Sequence, residues 1–244
     1  NDEPLWKTLG GTRPRARAHL AWDRPWDGRG ATNWFRRRRA ETGIRSASLA
    51  AGPDPAHDLK ALSDVRDVLE ATVPDSSLML RFDGTSWPRD VIRHVRALET
   101  RFDLACVCSP VRRGDVRGAR QIGDAVRAAV CVGHGDGDVE AFLPYLRHYA
   151  ANVIELDIAA LGISGSIQVA DAAFGFELPV LLTGYPGHVP VHLFAALPTA
   201  MSVEITFTHS VGAVSACGIT FEAGRALAGM QPGNGLSIEV GCSP

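Results

Sequence analysis

Short apolar or β-branched runs alternate with helix-like patterns along nearly the whole chain, at a steady interval. "ARAHLAW" reads as a strand and Thr32 to Thr42 as a helix. "RSASLA" precedes "DPAHDLKALSDVRDVLEATV", where Leu59, Leu62, Val65, Val68 and Leu69 recur at three- and four-residue spacing, one face of an α-helix. "SLMLRF" leads into a helix at "WPRDVIRHVRALETRF", with Pro88 early, where helix starts accept it. "LACVC" precedes a helix from Asp115 to Val126, and "AAVCVG" one from Asp138 to Ala150. "NVIELD" precedes a helix from Ser164 to Phe176, "PVLLTG" a short one from His192 to Leu197, and "MSVEITF" comes last. Alternating β and α units dictate a parallel sheet. Eight of them in 244 residues predict a closed α/β barrel of the TIM type.

A doubly wound open sheet would want a glycine fingerprint after its first strand. "DGRGATN" has the wrong spacing for it, and "GHGDGD", Gly133 to Asp138, lacks the Gly-Lys-Ser/Thr ending of a phosphate loop. Hydrophobic residues make up 45%, enough for a large core. Twenty-five basic against 27 acidic residues leave a net charge of -2, so no nucleic-acid partner is expected. The basic run Arg36-Arg37-Arg38-Arg39 reads as the solvated face of a helix. Five cysteines, Cys106, Cys108, Cys131, Cys217 and Cys242, are odd in number and irregular in spacing; reduced thiols in a cytoplasmic protein are expected. No apolar run approaches the roughly 20 residues of a bilayer span, so no membrane partner is expected.

The strand ends carry a further pattern. "LMLRFDG", "ACVCSPV", "AVCVGHGD", "VIELDIAALGIS", "ELPVLLTG", "LPTAMSVEITF" and the closing "PGNGLSIEV" follow one another in order after an opening "PLWKTLGG". Taken as an ordered series, they resemble the enolase superfamily, most closely its mandelate racemase and muconate lactonizing enzyme branch. The resemblance implies a (β/α)7β barrel over residues 13–207. It also implies an N-terminal α+β capping domain, expected to be absent here, with residues 1–12 as the linker from it. Residues 208–244 would be a C-terminal arm packing on that domain. Homo-oligomers are common in the family, and one is expected here.

In that family a Mg²⁺ held by three carboxylates stabilises an enolate, while a lysine or histidine takes the α-proton. The resemblance puts the strand-two lysines on Ser48 and Ala50, neither of which is a base. It puts the three metal carboxylates on Arg81, Cys108 and His134. A fixed cation, a thiol and an imidazole are poor substitutes around Mg²⁺. Asp157 falls on the aspartate of the family's His–Asp dyad, but the histidine falls on Thr183. Glu204 falls on the strand-eight glutamate. Asp83 lies two residues beyond Arg81, on the same face if the strand continues.

Two functional expectations follow. In the first, Mg²⁺-assisted proton abstraction is lost, no cofactor is bound, and the protein is a binding or scaffold relative. Arg81, Asp83, Asp157 and Glu204 would then face a small anionic metabolite, or Arg81 would pair with Asp83, Asp157 or Glu204. In the second, an isomerase or lyase acts on a small carboxylate through a rebuilt site of Asp83, Cys108, His134, Asp157 and Glu204. Cys108 with His134 could be a nucleophile and base, and Asp83, Cys108 and His134 a soft metal set; a buried thiol and a hydrogen-bonded loop histidine are the plainer reading of both. His188 and His192, after strand seven, could line the mouth, although capping and surface roles are commoner for such residues.

Overall fold

Arg15 to Trp22 form the longest strand, and the rest of the barrel is built from its two sides. The structure, a computed structural model, describes residues 2–70, 76–184, 188–206, 214–215, 219–234 and 237–238. After a short helix α1 (Leu5–Thr8), the chain runs β1 (Arg15–Trp22), α2 (Arg29–Thr42), β2 (Ala47–Ala50), α3 (Pro55–Leu69), β3 (Leu78–Arg81) and α4 (Pro88–Leu98). It continues through β4 (Cys106–Cys108), α5 (Val116–Gly123), β5 (Ala129–Val132), α6 (Leu143–Arg147), β6 (Val153–Asp157), α7 (Ile158–Gly175), β7 (Val180–Thr183), α8 (His188–Ala196) and β8 (Ala200–Ile205). The eight strands pair in order, all parallel, and β8 returns to β1 through Ala18–Val203, His19–Glu204 and Leu20–Ile205. Seven helical crossovers between eight strands make the (β/α)7β barrel that the rhythm predicts.

Local chemistry sets several helix ends. The Asp54 side chain accepts from the His57 amide at 2.9 Å just before Pro55, and Asp115 accepts from Gly118 at 2.8 Å; each occupies an orphan donor of a first turn. The helix expected over Asp138 to Ala150 is instead a 3₁₀ turn, Val139–Ala141, followed by α6. Pro144 is the cause: it fits a first turn but cannot donate inside a longer helix. Pro190 fits the first turn of α8 for the same reason, so that helix begins four residues before the expected His192. Helix α7 starts at Ile158 rather than Ser164 but is broken at Gly162, where φ is 66°. By length and composition α7 matches a membrane span. The break leaves only about 13 regular residues, roughly 20 Å, against about 30 Å of hydrocarbon. Its packing on β6 and β7 accounts for its apolar face.

The tail adds to the barrel. Beyond it lie β9 (Val214–Ser215), β10 (Thr220–Glu222), β11 (Arg225–Leu227) and β12 (Ser237–Ile238); β9 pairs with β12 in a sheet of its own. Strands β10 and β11 form a hairpin turning on Ala223 and Gly224, both at positive φ (49° and 76°), the twist that two-residue hairpins favour. Strand β11 pairs antiparallel with Arg15 to Arg17 of β1, below the stretches that β8 and β2 use. An open edge of β1 is thereby covered. Residues 219–234 of the expected arm therefore pack on the barrel and on the first residues of the chain, where the Leu5 amide donates to the Gly233 carbonyl at 2.7 Å.

Two cores result. Helices and outward strand faces bury Phe35, Leu62, Leu80, Leu98, Phe142 and Ile154 between them. Inside the barrel, Met79, Cys106, Cys108, Cys131, Val153 and Leu181 form a separate plug. Strand β5 leaves the barrel at Gly133, whose φ of 122° only glycine tolerates easily. A Cβ there would sit 2.5 Å from the Glu155 carbonyl oxygen and press into the Phe142 ring. We expect Gly133→Ala to lower stability by more than about 1 kcal/mol, read as a lower urea midpoint with an unchanged slope.

Candidate functional site

Strand alternation decides which side chains enter the barrel. Met79 and Arg81, Cys106 and Cys108, Ala129 and Cys131, Val153 and Glu155, and Leu181 and Thr183 are spaced by two on successive strands, so each pair shares a face. The register sets Arg81 opposite Cys108, and Cys108 opposite Cys131. The apolar plug lies beneath, and above it a polar layer faces the barrel mouth.

Arg81 organises that layer. Its Nη1 donates to both oxygens of Glu155, at 2.8 and 3.0 Å, and its Nη2 to Glu204 Oε2 at 3.4 Å. Glu155 is fully buried and also accepts from Thr183 Oγ1 at 2.9 Å, while His134 Nδ1 lies 3.1 Å from the same Oε1. On the far side, His19 of β1 is wholly buried, with Nδ1 2.9 Å from Ser202 Oγ and Nε2 3.9 Å from Glu204.

These contacts set the charges. Burial alone would raise the Glu155 carboxyl, but Arg81 and then His134 and Thr183 outweigh it and pull its pKa to about 2. Burial raises Glu204, and Arg81 only partly offsets this. Burial and then the Arg81 charge lower His19 to about 3, so it is neutral near pH 7. His134 moves up because Glu155 accepts its hydrogen bond, despite the opposing effect of burial. The Cys131 thiol is raised by its bond to Cys108 and by burial.

The expected site residues fare differently. Arg81, His134 and Glu204 line the mouth, Asp157 stands beside His134, and Cys108 is buried beneath them. Asp83 does not join them: β3 ends at Arg81, so the period of two lapses, and the exposed Asp83 carboxylate accepts from the Thr85 amide and hydroxyl at 2.9 and 2.7 Å. Asp157 starts α7 by accepting from the Ala159 amide at 3.1 Å, takes the Gly135 amide at 3.1 Å, and stands 3.7 Å from His134 Nδ1. Cys108 has no exposed surface and shares its hydrogen bond with Cys131 rather than His134. His192 does not line the mouth; it is buried and accepts the Trp6 amide at 3.1 Å, tying α8 to α1. The His188 side chain, Cys217 and Cys242 lie outside the described residues.

Sequence reading missed Glu155, Cys131 and His19. Glu155 did leave a signal. It stands two residues before Asp157 in the apolar run Val153–Asp157, where a carboxylate is costly unless a cation meets it. Above this layer opens a cleft of about 980 Å³, lined by Arg81, Asp83, His94, Ser109, Arg113 and His134 among others. A smaller recess of about 260 Å³ reaches Trp22, Ser48, Arg81, His134 and Glu204.

A closed parallel barrel whose strand ends converge charged side chains on a recess is the architecture of barrel enzymes. Residues 31–240 match the enolase C-terminal domain-like family, and the chain belongs to it. A racemase from Streptomyces coelicolor A3(2), solved with bound magnesium, superposes with a TM-score of 0.85 at 22% identity over 98% of this chain and 65% of that one. An enolase from Bradyrhizobium, complexed with magnesium and mandelic acid, gives 0.84 at 23% over 97% and 64%. L-Talarate dehydratase from Polaromonas sp. JS666, complexed with Mg and L-glucarate, gives 0.82 at 23% over 98% and 66%. The chain thus spans about two thirds of the length of these solved relatives. A comparison with curated proteins found no match.

Removing the Arg81 charge tests the layer. Glu155 is held at about 2, below its ordinary 4.5, so its contribution to stability is full above about pH 4.5 and is lost as pH falls towards 2. His134, raised above 6.5, contributes below that pH and fades as pH rises through its raised value. Arg81→Met should cost about 3–5 kcal/mol at pH 7, as expected for a buried charge stripped of its partner. The gap to the parent protein should narrow at pH 3, measured by urea unfolding at both pH values.

Proposed function

We propose that this barrel has given up magnesium-assisted α-proton abstraction and serves as a non-catalytic binder of a small anionic metabolite, or as a scaffold for a related protein. The observation that carries the proposal is the Arg81–Glu155–Glu204 cluster. A guanidinium grips one carboxylate at 2.8 and 3.0 Å and reaches the other at 3.4 Å, at the place where the resemblance expects a metal carboxylate. Magnesium asks for near-octahedral oxygen ligation. The neighbouring strand ends offer the thiols of Cys108 and Cys131 and the imidazole of His134, and the two glutamates already neutralise Arg81. That donor set does not suit magnesium. A small carboxylate would instead meet Arg81, His134 and the Arg113 side of the cleft, where a guanidinium favours paired oxygens.

A second reading rests on its own observation. His134 is about half exposed, lines both cleft and recess, and carries a raised pKa, while Glu204 on the recess wall is also raised. A histidine and a carboxyl group across one recess could pass a proton without metal, giving an isomerase or lyase on a carboxylate substrate.

The readings separate in deuterium oxide. With a panel of 2-hydroxy and sugar acids, ¹H NMR is expected to detect no loss of the α-proton signal, with or without Mg²⁺. Calorimetric titration with Mg²⁺ should give no binding heat at millimolar concentration. Exchange that requires Mg²⁺ would sink the first reading. Metal-independent exchange abolished by His134→Gln would establish the second.

A further inference from the structure

His94 on the cleft wall, with Asp58 and His57, is already satisfied within that group and by the Gly52 amide. The layer beneath Arg81 goes further. Cys108 Sγ, Cys131 Sγ and a carboxylate oxygen of Glu155 all lie within 4.8 Å of one another, and all three residues are buried. They come from three consecutive strands, β4, β5 and β6, so the barrel itself fixes their spacing.

We infer that Cys108, Cys131 and Glu155 form a binding site for a thiophilic divalent cation of the zinc class. Tetrahedral zinc with Zn–S bonds of about 2.3 Å sets its sulfurs about 3.8 Å apart. The observed spacing reaches that with small side-chain shifts. Two thiolates and a carboxylate are a soft, mixed donor set that zinc accepts and magnesium rejects. Charge balances as well: the three anions would face a divalent cation and the Arg81 guanidinium. Glu155 can serve both, because Thr183 and His134 are both bonded to Oε1, leaving Oε2 with only Arg81. Entry is from the recess above, bounded by Arg81, His134 and Glu204. The site differs from the set Asp83, Cys108 and His134 that the sequence suggested, since Asp83 is turned away and Cys131 and Glu155 take part. It goes beyond the loss of magnesium chemistry: a barrel could lack magnesium and hold no other ion, so the two readings fail separately.

The test uses the full chain, reduced, with Zn²⁺ and Co²⁺ as probes. One Zn²⁺ per chain should survive dialysis, measured by elemental analysis. Co²⁺ should raise a thiolate-to-cobalt charge-transfer band in the near ultraviolet. The band should persist in Cys106→Ser, one layer lower in the barrel, and vanish in Cys108→Ser and in Cys131→Ser. Should a serine variant fail to fold, X-ray absorption of the zinc-loaded parent protein decides, with two sulfurs expected at about 2.3 Å. No retained zinc, a band indifferent to Cys108 and Cys131, or a metal shell without sulfur would overturn the site.

Discussion

An arginine and a glutamate inside a β-barrel are bound to each other by the cost of being there. Neither charge can be taken from water alone without a penalty of several kcal/mol. Arg81 enters from β3 and Glu155 from β6, across the barrel axis, and they meet at 2.8 Å. Several neighbours at the mouth lean on that contact. Glu204 leans on the second guanidinium nitrogen, Thr183 and His134 both bond Oε1 of Glu155, and His19 stays neutral because it is buried and near the Arg81 charge.

The scaffold makes this contact inevitable once the barrel closes. Strands spaced by two residues send Arg81, Glu155 and Thr183 inwards at neighbouring heights, with Cys108 and Cys131 at the top of the plug they share with Met79, Cys106, Val153 and Leu181. The turn at Gly133 then brings His134 over Glu155 instead of away from it. The hairpin of β10 and β11 takes no part in the chemistry but covers the lower edge of β1, the strand that joins the two ends of the barrel.

The same residues bear on function in three ways. Glu155 is held as the counter-ion of Arg81, and Glu204 shares the same guanidinium. His134, half exposed, is raised in pKa by the hydrogen bond that Glu155 accepts from it. The thiols below add a soft donor pair to an otherwise hard layer. Family membership supplies the barrel and the location of the mouth, whereas the chemistry rests on these particular side chains.

The alternation of apolar runs and helical patterns determined the eight-stranded barrel from the sequence alone, because periods of 2 and 3.6 are local and survive without knowledge of contacts. Helix ends at Pro55 and Asp115 were equally local, while Pro144 broke a helix that the pattern ran together and a further turn, Ile158 to Leu161, precedes the break at Gly162. The placing of Arg81, His134 and Glu204 around the mouth was legible through the ordered strand ends. Glu155 left only the trace of a carboxylate in an apolar run, and Cys131 and His19 left none, since the partners of a mid-strand residue are fixed only when its facing strands are known. Nor could the sequence choose the partner of Arg81: Asp83 is nearer along the chain, yet β3 ends before it. Only closure of the barrel brought β6 opposite β3, and a charge excluded from water pairs with whatever opposite charge shares its cavity.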